Sequence, residues 1–413
     1  MNQQDVVILG SGCSGLFLAD ELAKRGLRCV LIDASPIAGY SSTKNQGWLQ
    51  SGSLYAIIGD ARAAAECRAG HQFIVERYGA VIHSDIPSYF HFKSEESLQS
   101  ALSACERDSV PIRRLSRGEI LGAVRRNPIL QPMEDNPPLW VASGRDRPVD
   151  TQFLMMEIGR DVASKGVRYI LVEGMETVKA AEIDDGWVIS FEGREEELRC
   201  RAFVLACGVY MPKMLESMFP EEDQSVKLTK IPVLVLKGKM TPISTASLIT
   251  PVKDGPNIVP FRKGSEEGVS ICLMGDDEAI EDPADHALPS EAWDKYADKL
   301  AEHYPGIKRL VQDNAITAHF YVCQKIKADS RGRLLDYRDD WPDGGQRLLV
   351  SFYPGKFTSS PISAMDCATE IAGRLGVTSI PPVAEQLYFQ RSDHEASYES
   401  DRLTFKPMPH ADD

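Results

Sequence analysis

Residues 10 to 15 read GSGCSG, and a later apolar run, Cys29-Val30-Leu31-Ile32, ends in Asp33. Glycines at this spacing, with an acid closing the next apolar run, have the chemistry to hold a dinucleotide. Gly10 permits a tight turn, Gly12 lets the backbone approach a pyrophosphate, and Gly15 lets the following helix pack close to the sheet. The pyrophosphate then sits at the helix start, beside Cys13 and Ser14, where N–H groups and the positive dipole end favour an anion. Asp33, followed by Ala34, accepts a hydrogen bond from a ribose hydroxyl, and its charge repels a 2′-phosphate. On these residues alone both FAD and NAD remain open.

The elements that must position this loop are readable around it. Val6 to Leu9 precede it as a strand, and the stretch after it has apolar residues at helical spacing. A polar, glycine-bearing segment spans 39 to 59, and helices are expected over about 60 to 78 and 94 to 107. The run Tyr89-Phe90-His91-Phe92 reads as a strand, and NPILQPMEDNPP as a loop. Beyond Val149 and Asp150 a helix is expected to Lys165, then strands over 166 to 171, 186 to 191 and 199 to 205. The last of these ends in Ala206-Cys207-Gly208, small residues suited to a strand tip that approaches the dinucleotide. From about 227 to 323 β-rich runs dominate, with one helix near 290 to 304, and residues 347 to 375 return to strand, turn and helix.

The expected architecture is α/β: a Rossmann-like dinucleotide domain with a parallel sheet, and an inserted β-rich α+β domain for substrate. The first is assembled from 1–80, 146–220 and 325–385, the second from 81–145 and 221–324. Residues 386–413 read as a polar C-terminal arm, partly disordered.

At 413 residues the chain is long enough for a large core, and 43% hydrophobic and 26% charged residues are ordinary for a soluble enzyme. A net charge of −14 argues against a nucleic-acid partner, which needs a basic face. The nine cysteines, at 13, 29, 67, 105, 200, 207, 272, 323 and 367, form no CxxC pair. They read as buried thiols in a reducing compartment and support no metal site. The first apolar run belongs to the glycine-rich unit and is not a signal peptide, and no apolar stretch reaches the length of a membrane span. The expected location is cytoplasmic.

From about residue 5 to 375 the chain resembles FAD-dependent oxidoreductases of the D-amino-acid-oxidase-like superfamily. Within that group it is most similar to L-2-hydroxyglutarate oxidases and glycerol-3-phosphate dehydrogenases. Four stretches carry the resemblance: the opening fingerprint with Asp33, SSTKNQGWLQSGSLY from Ser41 to Tyr55, AFVLACGVY around residue 206, and YPGKFTSSP from Tyr353 to Pro361. Asn45, Gly47, Gly52 and Tyr55 match the hydroxyglutarate oxidases, while Ser42-Thr43-Lys44 and Gly355-Lys356-x-Thr358 are similar to the glycerol-3-phosphate dehydrogenases. Gln50 stands where the former group carries a histidine, so no base is transferred to that position.

The resemblance implies FAD, glutathione-reductase-type folding of the first domain, and cofactor contacts from Ser42, Thr43, Lys44, Asn45, Gln46, Gly47, Ala206, Gly208, Gly355, Lys356, Phe357 and Thr358. It also implies hydride transfer to the flavin N5 from a carbon bearing a hydroxyl or amine, with residues 355 to 358 opening the final helix and holding charge near N1 and C2=O. The chain has no second GxGxxG unit for NAD(P)H, and its Gly275-Asp276 pair lies inside the second domain rather than before a late helix. Electrons are therefore expected from a small anionic substrate, with dioxygen or a quinone as acceptor. Arg262 and the Lys325 and Lys327 pair are candidates for the substrate anion. His319 and His91 are candidate bases, and Tyr321 is a candidate hydroxyl partner. An NAD(P)H-dependent monooxygenase and a non-catalytic flavoprotein are the competing readings.

Overall fold

The computed structural model describes residues 3–37, 39–218, 226–238, 243–263, 266–307, 310, 316–327, 334–338 and 347–377. The expected C-terminal arm lies outside them. Up to residue 378 the chain forms one compact unit, organised on two large sheets.

The first sheet grows from the fingerprint. Strand Gln3–Leu9 lies between Cys29–Asp33 and Glu197–Leu205, parallel to both. Arg168–Leu171 extends it beyond the former, and Leu348–Tyr353 beyond the latter, again in parallel. Val6 and Ile8 bury one face of the first strand and Val7 and Leu9 the other. A strand buried on both faces needs a continuous apolar run rather than alternation, and VVIL is such a run. Full burial of each such side chain contributes roughly 1.5–3 kcal/mol. Glu197–Leu205 forks: its first half pairs antiparallel with Gly186–Phe191, and its second half pairs with Leu348–Tyr353.

Four helices enclose the first face: Cys13–Lys24, Ala61–Tyr78, Thr151–Ser164 and Ser360–Arg374. Asp60 and Asp150 cap two of them, accepting N–H groups of the first turn. A buried carboxylate clasps three. Asp20 of the first helix, 1% exposed, pairs with Lys24 at 2.7 Å, with Arg77 at 3.0 Å and with Lys165 at 2.7 Å. Burial alone would push Asp20 up, but Lys165, Lys24 and Arg77 outweigh it and hold the carboxyl below its ordinary value.

The second sheet is almost wholly antiparallel. Lys227–Gly238 pairs along its whole length with Ile316–Lys327, and on its other edge with Glu266–Leu273 and Glu278–Ile280. Pro256–Lys263, Ser247–Ile249, Ser88–Phe92, Trp140–Gly144 and Arg113–Arg114 continue it, with one parallel junction between Ser247–Ile249 and Ser88–Phe92. Helix Ala292–His303 packs on it through Tyr296 and Leu300, and helix Arg117–Arg126 through Ile120 and Val124.

The final helix differs from expectation in one respect: it begins at Ser360, so residues 355 to 358 form a turn ahead of it. Gly355, with φ +79°, reverses the chain there, a conformation glycine adopts freely.

Candidate functional site

The fingerprint loop owes its shape to close backbone contact. Gly10 has φ +111°, and a Cβ there would lie 2.4 Å from the carbonyl oxygen of Ala206. A Cβ on Gly15 would lie 1.9 Å from the Gly10 carbonyl oxygen and 3.5 Å from Ile8. Gly15 thus lets the helix close on the loop itself more than on the sheet. Gly12 abuts Ser42, whose hydroxyl accepts the Cys13 N–H at 2.9 Å.

Asp33 is buried at the tip of its strand. Its Oδ2 accepts the N–H of Ser11 at 2.6 Å and the Ser11 hydroxyl at 2.9 Å, and its Oδ1 accepts the N–H of Ser35 at 3.1 Å. The Ser35 hydroxyl has a single proton and two acceptors in reach, Asp33 Oδ1 and the Pro36 carbonyl, both at 3.3 Å. Oδ1 therefore keeps capacity for a further hydroxyl donor.

A cleft opens above this loop. Gly10, Gly12, Cys13, Ser14, Asp33, Ser42 and Asn45 line one end, with Ala206 and Gly208 from the strand tip. Gly355, Lys356 and Phe357 come from the turn after the last strand, and Cys323 and Lys325 from the second sheet. Residues the sequence reading did not assign to the cofactor also reach it: Tyr40 and Tyr210, packed edge to face with ring centroids 5.9 Å apart, and Met175, Tyr353 and Ser360. Tyr210 stands two residues beyond Gly208, a spacing that marked it in retrospect. Alternation along strand Ile316–Lys327 similarly places Cys323 and Lys325 on one face.

Other expected site residues lie elsewhere. Thr43 and Lys44 line a separate cleft with His286, Phe320 and Tyr321. Gln46 points into the second sheet, donating to the carbonyls of Asn257 and Ser270. Gly47 supports the loop through its N–H to Asn45 Oδ1 at 2.8 Å, and Ala34 packs against the core. Thr358 is buried and accepts the Gln50 N–H at 3.1 Å. Lys356 places its ammonium 4.7 Å from the Tyr55 ring centroid, within cation–π range, and Lys325 is ion-paired with Asp277 at 2.5 Å.

Most of the candidate substrate residues lie away from the cleft above the fingerprint loop. Arg262 lies on the surface, paired with Asp85 at 2.8 Å and Glu267 at 3.5 Å, and lines neither cleft. His319 is exposed near the start of its strand and lines neither cleft. Lys327 is exposed at the strand's far end. His91 packs against Tyr304, with Nδ1 3.4 Å from its hydroxyl, and burial lowers it to about 4. Tyr321 donates to the Asn45 carbonyl at 3.0 Å, and burial raises its hydroxyl well above the ordinary range. It fixes the loop between the two clefts.

A glycine-rich turn at a helix start, a buried acid at the next strand tip and a cleft above both define a dinucleotide-binding protein. A profile of the family described as "FAD dependent oxidoreductase" matches residues 5–368, and the chain belongs to that family. It is similar to the anaerobic glycerol-3-phosphate dehydrogenase subunit A1 of Haloferax volcanii, 24% identical over 90% of this chain. The chain spans 64% of that relative's length. Among solved structures, the L-alpha-glycerophosphate oxidase of Mycoplasma pneumoniae with FAD bound superposes with a TM-score of 0.68 at 13% identity, covering 90% of this chain and 95% of that one. The glycine oxidase of Geobacillus kaustophilus gives 0.63 at 18% identity, with the same coverages. FAD is thus the cofactor, and the cleft fits it: the Gly10 turn, the spare acceptor capacity of Asp33 and the converging turn at 355 to 358 suit a ribose and a pyrophosphate at one end and a ring system at the other. No helix among the described residues is long and apolar enough to cross a membrane.

Because Arg262 faces Asp85 at the surface, Arg262→Ala is expected to leave flavin content unchanged and to shift stability by no more than about 0.5 kcal/mol, as exposed pairs do. The ratio of flavin to protein absorbance and a urea titration check both.

Proposed function

We propose that this protein oxidises a carbon bearing a hydroxyl or an amine on a small anionic substrate. The carrying observation is convergence: the fingerprint loop, Ser42 and Asn45, the turn from Gly355 to Phe357 and a strand of the second sheet all meet at one cleft, with Lys325 and Lys356 on its wall. Bound FAD supplies the hydride acceptor. In this reading the residues around the Gly10 turn hold the pyrophosphate and Asp33 holds the ribose. Gly355, Lys356 and Phe357 face the ring system, where main-chain N–H groups and the Lys356 ammonium stabilise negative charge that develops during reaction. Lys325 attracts the substrate anion, in competition with Asp277, and the second sheet closes the cleft against water. The sheets themselves serve as the cores of a cofactor domain and a substrate domain.

The purified protein, kept free of oxygen, is offered 2-hydroxy acids, amino acids and glycerol phosphates in turn while the visible flavin absorbance is followed. Bleaching by one class supports the proposal and names the donor. A flavin that stays oxidised with every donor and bleaches only with NADPH overturns it.

A further inference from the structure

Asp146 is fully buried, and nothing in the proposed chemistry uses it. Its Oδ1 accepts the N–H of Ser51, while Oδ2 has no hydrogen-bond partner among the described residues. Burial lifts the carboxyl to about 6, against the opposing pull of the Ser51 amide and hydroxyl and the Arg147 charge. A carboxylate kept out of water with one oxygen unsatisfied is costly, and such groups concentrate at functional sites.

Its place in the fold says what it could serve. Trp48 and Leu49 pair with Pro148 and Arg147 in a two-residue ladder, and that ladder ends just before Gln50 on one strand and Asp146 on the other. The carboxylate takes over where the main-chain partner stops, and so fixes Ser51. The neighbouring Gln50 N–H reaches 3.1 Å to Thr358 Oγ1, in the same turn as Lys356, whose ammonium sits over the Tyr55 ring. Helix Ala61–Tyr78 presses on the same turn from the other side, since a Cβ at Gly70 would lie 1.9 Å from the Thr358 carbonyl oxygen. The turn is therefore held between a tight helix contact and a polar chain that starts at Asp146.

We infer that Asp146 is a positioning residue for the cleft-facing turn at 355 to 358, acting through Ser51 and the adjoining Gln50, and that its negative charge opposes electron gain by the bound flavin. The inference rests on FAD occupying the cleft and not on which donor reduces it. The groups facing Asp146 leave it as the one that changes charge near neutrality. Arg145 and Arg147 flank it and Lys356 lies beyond Tyr55, all cationic. From helix Ala61–Tyr78, Cys67 is held neutral by burial, and His71 is lowered by burial to about 4. Cys105, from helix Glu95–Arg107, is raised by burial to about 12. Tyr55 is held neutral by burial, and Asp60 adds a more distant negative charge.

The test compares flavin-loaded wild type and Asp146→Asn, with each flavin equilibrated against a reference dye between pH 5 and 8 and no donor present. The amide keeps an acceptor for Ser51 and removes the charge. We expect the two curves to meet near pH 5 and to separate as pH rises through 6. The wild type then becomes harder to reduce, by on the order of tenfold in the equilibrium constant, the ratio that one unit of pKa coupling represents. Parallel curves overturn the inference while leaving the proposed activity standing; wild-type protein that binds no FAD overturns both. If the variant does not load flavin, the reduced-minus-oxidised infrared spectrum of the wild type at pH 6 decides. Proton uptake by Asp146 on reduction appears as a new carboxylic acid C=O band, and its absence overturns the inference.

Discussion

Gly10→Ala is expected to yield a protein that purifies with almost no flavin. The added Cβ meets the Ala206 carbonyl oxygen at 2.4 Å, and φ +111° is a conformation that alanine rarely adopts. The torsional cost alone is roughly 1–3 kcal/mol, and relief of the contact must move the strand tip at Ala206, which is part of the same cleft. FAD affinity is then expected to fall by about a hundredfold or more, each 1.4 kcal/mol being a factor of ten. Gly26→Ala is the matched control. Its φ is +79° with nothing within 4 Å of a Cβ, so it carries the torsional strain without the collision. Flavin-to-protein absorbance after gel filtration separates the two, and a Gly10→Ala protein that retains its full complement of flavin would refute this account of the loop.

Asp146→Asn is expected to make the protein more stable at pH 8, even as it changes how the flavin is reduced. The carboxyl stands at about 6 in the folded protein against 3.8 for the ordinary group. Between those values the native state binds more protons than the unfolded chain, so native stability falls as pH rises through the window and stays lower above it. The difference corresponds to about 3 kcal/mol. The amide does not titrate, so its advantage should be absent near pH 4 and complete by about pH 7. Urea denaturation at pH 4 and pH 8 measures this; equal midpoints at both pH values would mean that the buried carboxylate costs nothing. A gain in stability coupled to altered redox behaviour is the pattern of a residue retained for function at the expense of the fold.

The parts of this protein that a local stretch specifies were legible in the sequence. The fingerprint, the strand Gly186–Phe191, the helices capped by Asp60 and Asp150, and the β-rich character of residues 227 to 323 each follow from spacing within a short window. The α/β architecture with its parallel sheet follows from them. What was not legible depends on residues far apart. Asp146 meets Ser51 across 95 positions and Gln50 meets Thr358 across 308, and neither partner is unusual in its own neighbourhood. Arg262 looked placed for an anion because basic residues follow an apolar run, but the strand carries it out to Asp85 at the surface. Thr43 and Lys44 fall within the same motif as Ser42 and Asn45, yet the turn there sends the two middle residues to a different cleft from the outer two. A motif gives the order of residues along the chain; the turn decides which of them face the same space.

The forked strand Glu197–Leu205 bears on how the protein comes into being. Its inner half has two neighbours, one supplied by Gln3–Leu9 and one by Leu348–Tyr353, and the turn that completes the cleft follows only after the latter. During synthesis the glycine-rich loop is therefore present long before the opposite wall exists. Pairing of such high sequence separation is slow, because loop closure must precede the contacts that reward it. The flavin cleft thus cannot close until Leu348–Tyr353 has been made, and the apolar edge of Glu197–Leu205 stays open in the nascent chain until that partner arrives.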